Sequence, residues 1–72
     1  MKKSRLVEAL EAKYTADMKD AVARFEVYIQ RSAGIGEHPQ ITEEMDKLVD
    51  QFTNATDKLE SLKKMVAELN EH

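Results

Sequence analysis

The sequence predicts an all-α fold: an antiparallel two-helix hairpin of coiled-coil character, pairing into a four-helix bundle. Three observations carry that expectation. Apolar residues recur at three- and four-residue spacings through both halves of the 72-residue chain, which is helical periodicity and not the alternation of a strand. Both glycines and the single proline fall together near the midpoint, in Ser32-Ala33-Gly34-Ile35-Gly36-Glu37-His38-Pro39-Gln40. Further apolar residues flank each stripe, more than two helices alone can cover. The expected organisation is one domain over 1–72, with a helix over about 4–33, a loop over about 34–38 and a second helix over about 39–70.

The first helix is expected to open at Ser4, whose hydroxyl can accept a first-turn amide. Its stripe runs Val7, Leu10, Tyr14, Met18, Ala21, Phe25 and Ile29. Ala9, Ala12, Ala16, Ala21, Ala23 and Ala33 raise helix propensity, and no Gly or Pro intervenes before Gly34.

In the second helix the apolar residues form an unbroken heptad seam: Ile41, Met45, Leu48, Phe52, Ala55, Leu59, Leu62, Val66 and Leu69. With Met45 at position a, Phe52, Leu59 and Val66 follow at a, while Ile41, Leu48, Ala55, Leu62 and Leu69 fall at d. Glu43/Lys47 and Glu60/Lys64 are expected as intrahelical ion pairs, as is Asp20/Arg24 in the first helix.

Between the helices, Gly34 suits the left-handed position that closes a helix, with Ile35 packing back on the last turn. Gly36 supplies a second permissive position. His38 precedes Pro39 and is biased away from helical dihedrals, while Pro39 suits a first helical position, where its missing amide hydrogen has no partner to lose. Thr42, followed by Glu43 and Glu44, is the alternative start. So short a connection makes the helices antiparallel neighbours, with facing residue numbers summing to about 73. Tyr14 then meets Leu59, Met18 meets Ala55, Ala21 meets Phe52 and Phe25 meets Leu48, so large side chains face small ones, as interdigitating layers require.

One seam is little burial for a chain of this length. Leu6, Val22, Val27, Tyr28, Val49 and Met65 lie beside it as a candidate association flank. A second copy, closing a two-fold four-helix bundle, is the economical cover, and a homodimer is the expected partner state. Docking on another protein is a further use of the same flank.

Charge and composition limit the function classes. Residues 1–33 carry seven Lys/Arg against five Asp/Glu, and residues 34–72 four against nine, which makes up the net charge of −3. A net acidic chain argues against general nucleic-acid affinity, which needs a clustered basic face. With no cysteine, thiolate metal sites and disulfides are absent, and a cytoplasmic setting is the default expectation. No run approaches the ~20 apolar residues of a membrane span.

Site chemistry is equally sparse. Gly34-Ile35-Gly36 lacks the preceding strand, the third glycine and the Lys-Ser/Thr of a nucleotide loop. His38 and His72 have no helical spacing that would place two metal ligands on one face. Asp46 and Asp50 lie on a polar helix face where both are hydrated, and Ser4, Ser32 and Ser61 have no histidine to activate them. The expectation is therefore no catalytic, cofactor-binding or metal-binding residue, and a non-enzymatic protein that works by self-association or protein binding.

Residues 28–51, "YIQRSAGIGEHPQITEEMDKLVDQ", resemble a group of small helical-hairpin proteins of T4-like marine cyanophages that carry a similar Gly-Ile-Gly-Glu-His-Pro break. The resemblance covers the loop and its flanking turns, and the rest only by pattern. It implies a virus-encoded protein acting in the host cytoplasm, and it transfers no catalytic residue. An alternative class is a nucleic-acid-binding hairpin dimer, resembling the plasmid copy-number regulators that hold paired RNA loops on a helix face. Its candidate contacts are Lys2, Lys3, Arg5, Lys13, Lys19, Arg24 and Arg31.

Overall fold

A computed structural model describes residues 4–35 and 39–70, with side chains described over 4–30 and 40–70. Helix α1 spans Arg5–Ile35 and helix α2 spans Pro39–Asn70. They pack against each other as an antiparallel all-α hairpin. Thirty-one and thirty-two residues respectively make each helix roughly 46–48 Å long at ~1.5 Å per residue. The body measures 56 × 16 × 12 Å between Cα extremes, which is two helices wide and one helix thick.

Ser4 caps α1 as its residue type predicts. Its Oγ accepts the Val7 amide at 3.1 Å and its carbonyl accepts the Glu8 amide at 3.1 Å. Two donors that a helix start leaves unpaired are thereby satisfied. Glu8 adds negative charge to the first turn, where the helix dipole favours it.

The break between the helices is shorter than the sequence reading. Gly34 and Ile35 belong to α1, so Gly34 is not the left-handed stop. A glycine in a helix costs only about 1 kcal/mol relative to alanine, and the continuous hydrogen-bond ladder from Arg5 onward carries the helix through. Pro39 is the first residue of α2, which decides between the two possible starts in favour of the earlier one. Gly36 and His38 lie outside the described residues, as do Lys2, Lys3 and His72.

Polar contacts across the hairpin report the register. The Gln51 amide reaches the Asp17 carbonyl and the Asp20 carboxylate, and the Lys58 ammonium stands 6.0 Å from the centre of the Tyr14 ring. Phe25 with Leu48, and Ala21 with Phe52, line one groove; Val7 with Val66, and Glu11 with Leu62, line another. These last four pairs are the ones that a numbering sum of about 73 brings level.

The core between the helices is thin. Among the described residues only Ala21, Leu48 and Ala55 are buried, at 2%, 8% and 3% exposure. Val7, Tyr14, Met18, Phe25, Ile41, Met45, Leu59, Leu62 and Val66 are half-buried, and Leu10, Ile29, Phe52 and Leu69 are exposed. Where an alanine faces a large residue, the alanine sinks between the backbones and the larger partner spills toward solvent. Met18 opposite Ala55 and Ala21 opposite Phe52 both follow this rule.

Candidate functional site

The two broad faces of the hairpin are built differently, and the difference starts with residues two apart on each helix. At 3.6 residues per turn, residues separated by two positions point about 160° apart. Asp20 and Val22 stand in this relation on α1, as do Val49 and Gln51 on α2. Because Gln51 bonds across to Asp20 on one face, Val22 and Val49 emerge together on the other.

On the first face the polar groups form a latch. Gln51 Nε2 donates to the Asp17 carbonyl at 2.8 Å and to Asp20 Oδ2 at 3.0 Å. Asp20 Oδ1 accepts Arg24 Nε at 3.1 Å, and Asp17 accepts Lys13 Nζ at 3.3 Å. The Asp20 carboxyl is held below its ordinary 3.8, first by the Gln51 bond and further by the charge and hydrogen bond of Arg24, with slight desolvation pulling the other way. The latch is exposed, so its ion pairs contribute little individually. Its role is geometric, since it ties the helices at one level along one face only. Elsewhere Lys47 bonds Glu44 at 3.1 Å in place of the expected Glu43, and Glu60 and Lys64 are not paired. A three-residue spacing serves an exposed lysine as well as a four-residue one.

On the opposite face runs an apolar groove of about 240 Å³, with Ala21 and Leu48 at its floor and Val22, Phe25, Val49 and Phe52 along its sides. Val22, Val49 and Phe52 are 54%, 50% and 39% exposed. On the α1 side the groove continues past Met18 to two charged residues, Lys19 and Glu26. Toward the chain ends the same face becomes more polar, where Glu11, Lys63 and Asn70 join Val7 and Val66.

The association flank read from sequence is therefore divided. Val22 and Val49 meet in the groove. Leu6 and Met65, exposed, each lie sixteen residues and so about 160° from their valine, which puts them on the latch face near the chain ends. Val27 is exposed on the outer side of α1, and Tyr28 is half-buried at the seam edge. Phe52, a seam position in the heptad reading, also serves as a groove wall. Gln51 and Glu26 escaped the sequence reading altogether, and Lys19 entered it only as a candidate nucleic-acid contact. Their relevance depends on cross-helix register, which no local pattern carries.

Of the basic residues considered for nucleic acid, Lys13 and Arg24 are engaged by acids of their own helix. No group of three or more potential metal ligands assembles among the described residues. No described helix is long and apolar enough to cross a membrane. Comparison with protein families, curated proteins and solved structures finds no match to this chain.

Proposed function

We propose that this chain is a non-enzymatic interaction protein whose active form is a homodimer, two hairpins closing a four-helix bundle, with another protein as a further client of the assembled surface. One observation carries the reading: the hairpin exposes far more surface than its mass requires. The accessible area is 6013 Å² for 8.2 kDa, whereas a compact monomer of that mass exposes about 4,500 Å². The excess, about 1,500 Å², exceeds the ~800 Å² that each partner buries in a standard interface. Part of it is the apolar groove, which a soluble protein gains free energy by covering.

Sedimentation equilibrium at micromolar concentration tests the proposal. The expected result is a dimer that dissociates on dilution with loss of thermal stability, because the second copy stabilises the fold by mass action. A cooperatively folded monomer at all accessible concentrations would overturn it. Phe52→Asp places a charge in the groove wall and should shift the protein to monomer. Placement in a phage-infected cytoplasm is part of the same proposal, and it rests on the loop resemblance.

A further inference from the structure

We infer that the groove is the centre of an isologous interface with a second copy, in which the two hairpins lie face to face with their connection ends pointing in opposite directions. In this arrangement α1 meets its own counterpart at Val22, and α2 meets its counterpart between Val49 and Phe52. The inference rests on the self-association reading above, and adds to it the face and the direction.

The positions in the groove are arranged symmetrically about one level. Residues 22 and 23 of α1 stand level with residues 50 and 51 of α2 in a register summing to about 73. A two-fold axis through that level returns Val22 against the partner's Val22. It also sets Val49 against the partner's Phe52, and Phe52 against the partner's Val49. A large side chain again meets a small one, and each does so twice, as an isologous contact requires.

Charge selects the direction. Lys19 and Glu26 border the groove on either side of Val22, with Lys19 three residues before it and Glu26 four after. With the ends opposed, the same axis brings Lys19 to the partner's Glu26 and Glu26 to the partner's Lys19, making two ion pairs at the rim. Both charges are available for this. Lys19 has no ion pair within the described residues, whereas its neighbours Lys13 and Arg24 are taken by Asp17 and Asp20. Glu26 accepts only a 3.4 Å bond from the Gln30 amide.

The other two-fold arrangement, with both connections at one end, sets α1 against the partner's α2 at the same level. Lys19 then stands level with the partner's Asn54 and Glu26 with the partner's Lys47. Lys47, however, lies two residues and so about 160° from Val49, on the latch face, where it bonds Glu44 at 3.1 Å. The charged residue that this level turns toward the groove is Asp46, which repels Glu26. In the opposed arrangement the acidic residues of α2 that border the groove avoid one another. The one like-charged level, Asp57 with the partner's Glu44, involves a carboxylate turned about 140° from Val49 and bonded to Lys47. The axis places Asp46 level with Ala55 of the other copy and Glu60 level with its Ile41.

Two measurements decide the matter. The chain has no cysteine, so Ala67→Cys carries a single spin label per copy, near the chain ends and clear of the overlap. Residue 67 lies about 16 positions from the axis, so opposed hairpins separate the labels by about 50 Å at ~1.5 Å per residue. Hairpins with their ends together bring the labels within about 25 Å, given helix spacings of 8–10 Å. The longer distance is the expected result. A dimer with the shorter one overturns this inference while leaving self-association intact, and a monomer with no intermolecular coupling overturns both.

Charge reversal is the second measurement. Lys19→Glu and Glu26→Lys should each weaken the homodimer by about tenfold, since each turns two rim attractions into repulsions. An equimolar mixture of the two variants should recover the loss as a heterodimer. Helical circular dichroism controls for folding, since both side chains are exposed. Failure of the mixture to associate more tightly than either variant alone would overturn the opposed arrangement.

Discussion

Among the described residues Leu48 is the one large side chain buried between the helices, at 8% exposure, and truncating it tests whether the seam holds the hairpin together. Leu48→Ala removes three carbons. At about 0.8 kcal/mol per buried carbon and nearly complete burial, the loss is about 2 kcal/mol. A cavity contribution is small in the separate hairpin, because Leu48 sits at the floor of an open groove that water can enter. Leu69→Ala removes the same three carbons from a residue 65% exposed, and the same arithmetic gives only about 0.8 kcal/mol. Urea unfolding followed by far-UV circular dichroism, run at two protein concentrations, provides the comparison. At low concentration Leu48→Ala should cost more than twice as much as Leu69→Ala. At high concentration, with the groove covered, the truncated site becomes an enclosed cavity and the cost should rise toward about 3 kcal/mol. Equal costs for the two variants would refute the packing argument, and a Leu48→Ala cost that does not change with concentration would refute the claim that a second copy covers the groove.

Three further outcomes follow from features already described. Ser4→Ala should cost about 1 kcal/mol and speed hydrogen exchange at the Val7 amide, since the hydroxyl is that donor's acceptor; unchanged exchange would mean that the cap contributes nothing. Gly34→Ala should stabilise the fold by up to about 1 kcal/mol, because Gly34 is helical; a lower melting temperature would restore the left-handed reading. Acid should act through Asp20. Its folded pKa lies below the ordinary 3.8, so its contribution is complete above about that pH and is lost as pH falls through the depressed folded value. Gln51→Leu removes the main cause of the depression and should flatten melting temperature against pH in that acidic range, and an identical pH profile in variant and parent would exclude the latch as its source.

How much of this was legible in the sequence depends on the distance over which each feature is encoded. Ser4, Pro39 and the heptads of α2 act over a few residues, so local chemistry predicts them. The end of α1 was misread because a glycine followed by an apolar residue looks the same whether it stops a helix or merely weakens its last turn. Only the continuing ladder distinguishes the two. Val22 and Val49 could be recognised as surplus apolar residues, but their separation from Leu6, Val27 and Met65 requires the angle of each around its helix relative to the partner helix. Gln51 gave no signal. A lone polar residue beside a seam is ordinary, and its significance comes from carbonyl and carboxylate acceptors 31 and 34 residues away.

A body 12 Å across in its thinnest direction has hardly any interior in the dielectric sense. Every described side chain lies within about a helix radius of bulk water, so the separate hairpin can withdraw little solvent from a charge introduced on its face. Covering one face changes this. A carboxyl introduced by Phe52→Asp titrates as a surface acid while the groove is open, and is driven upward in pKa once another apolar surface lies over it. The slab is thus a natural proximity gauge, in which the protonation of one wall residue reports by NMR whether anything occupies the face, without the identity of the occupant having to be known.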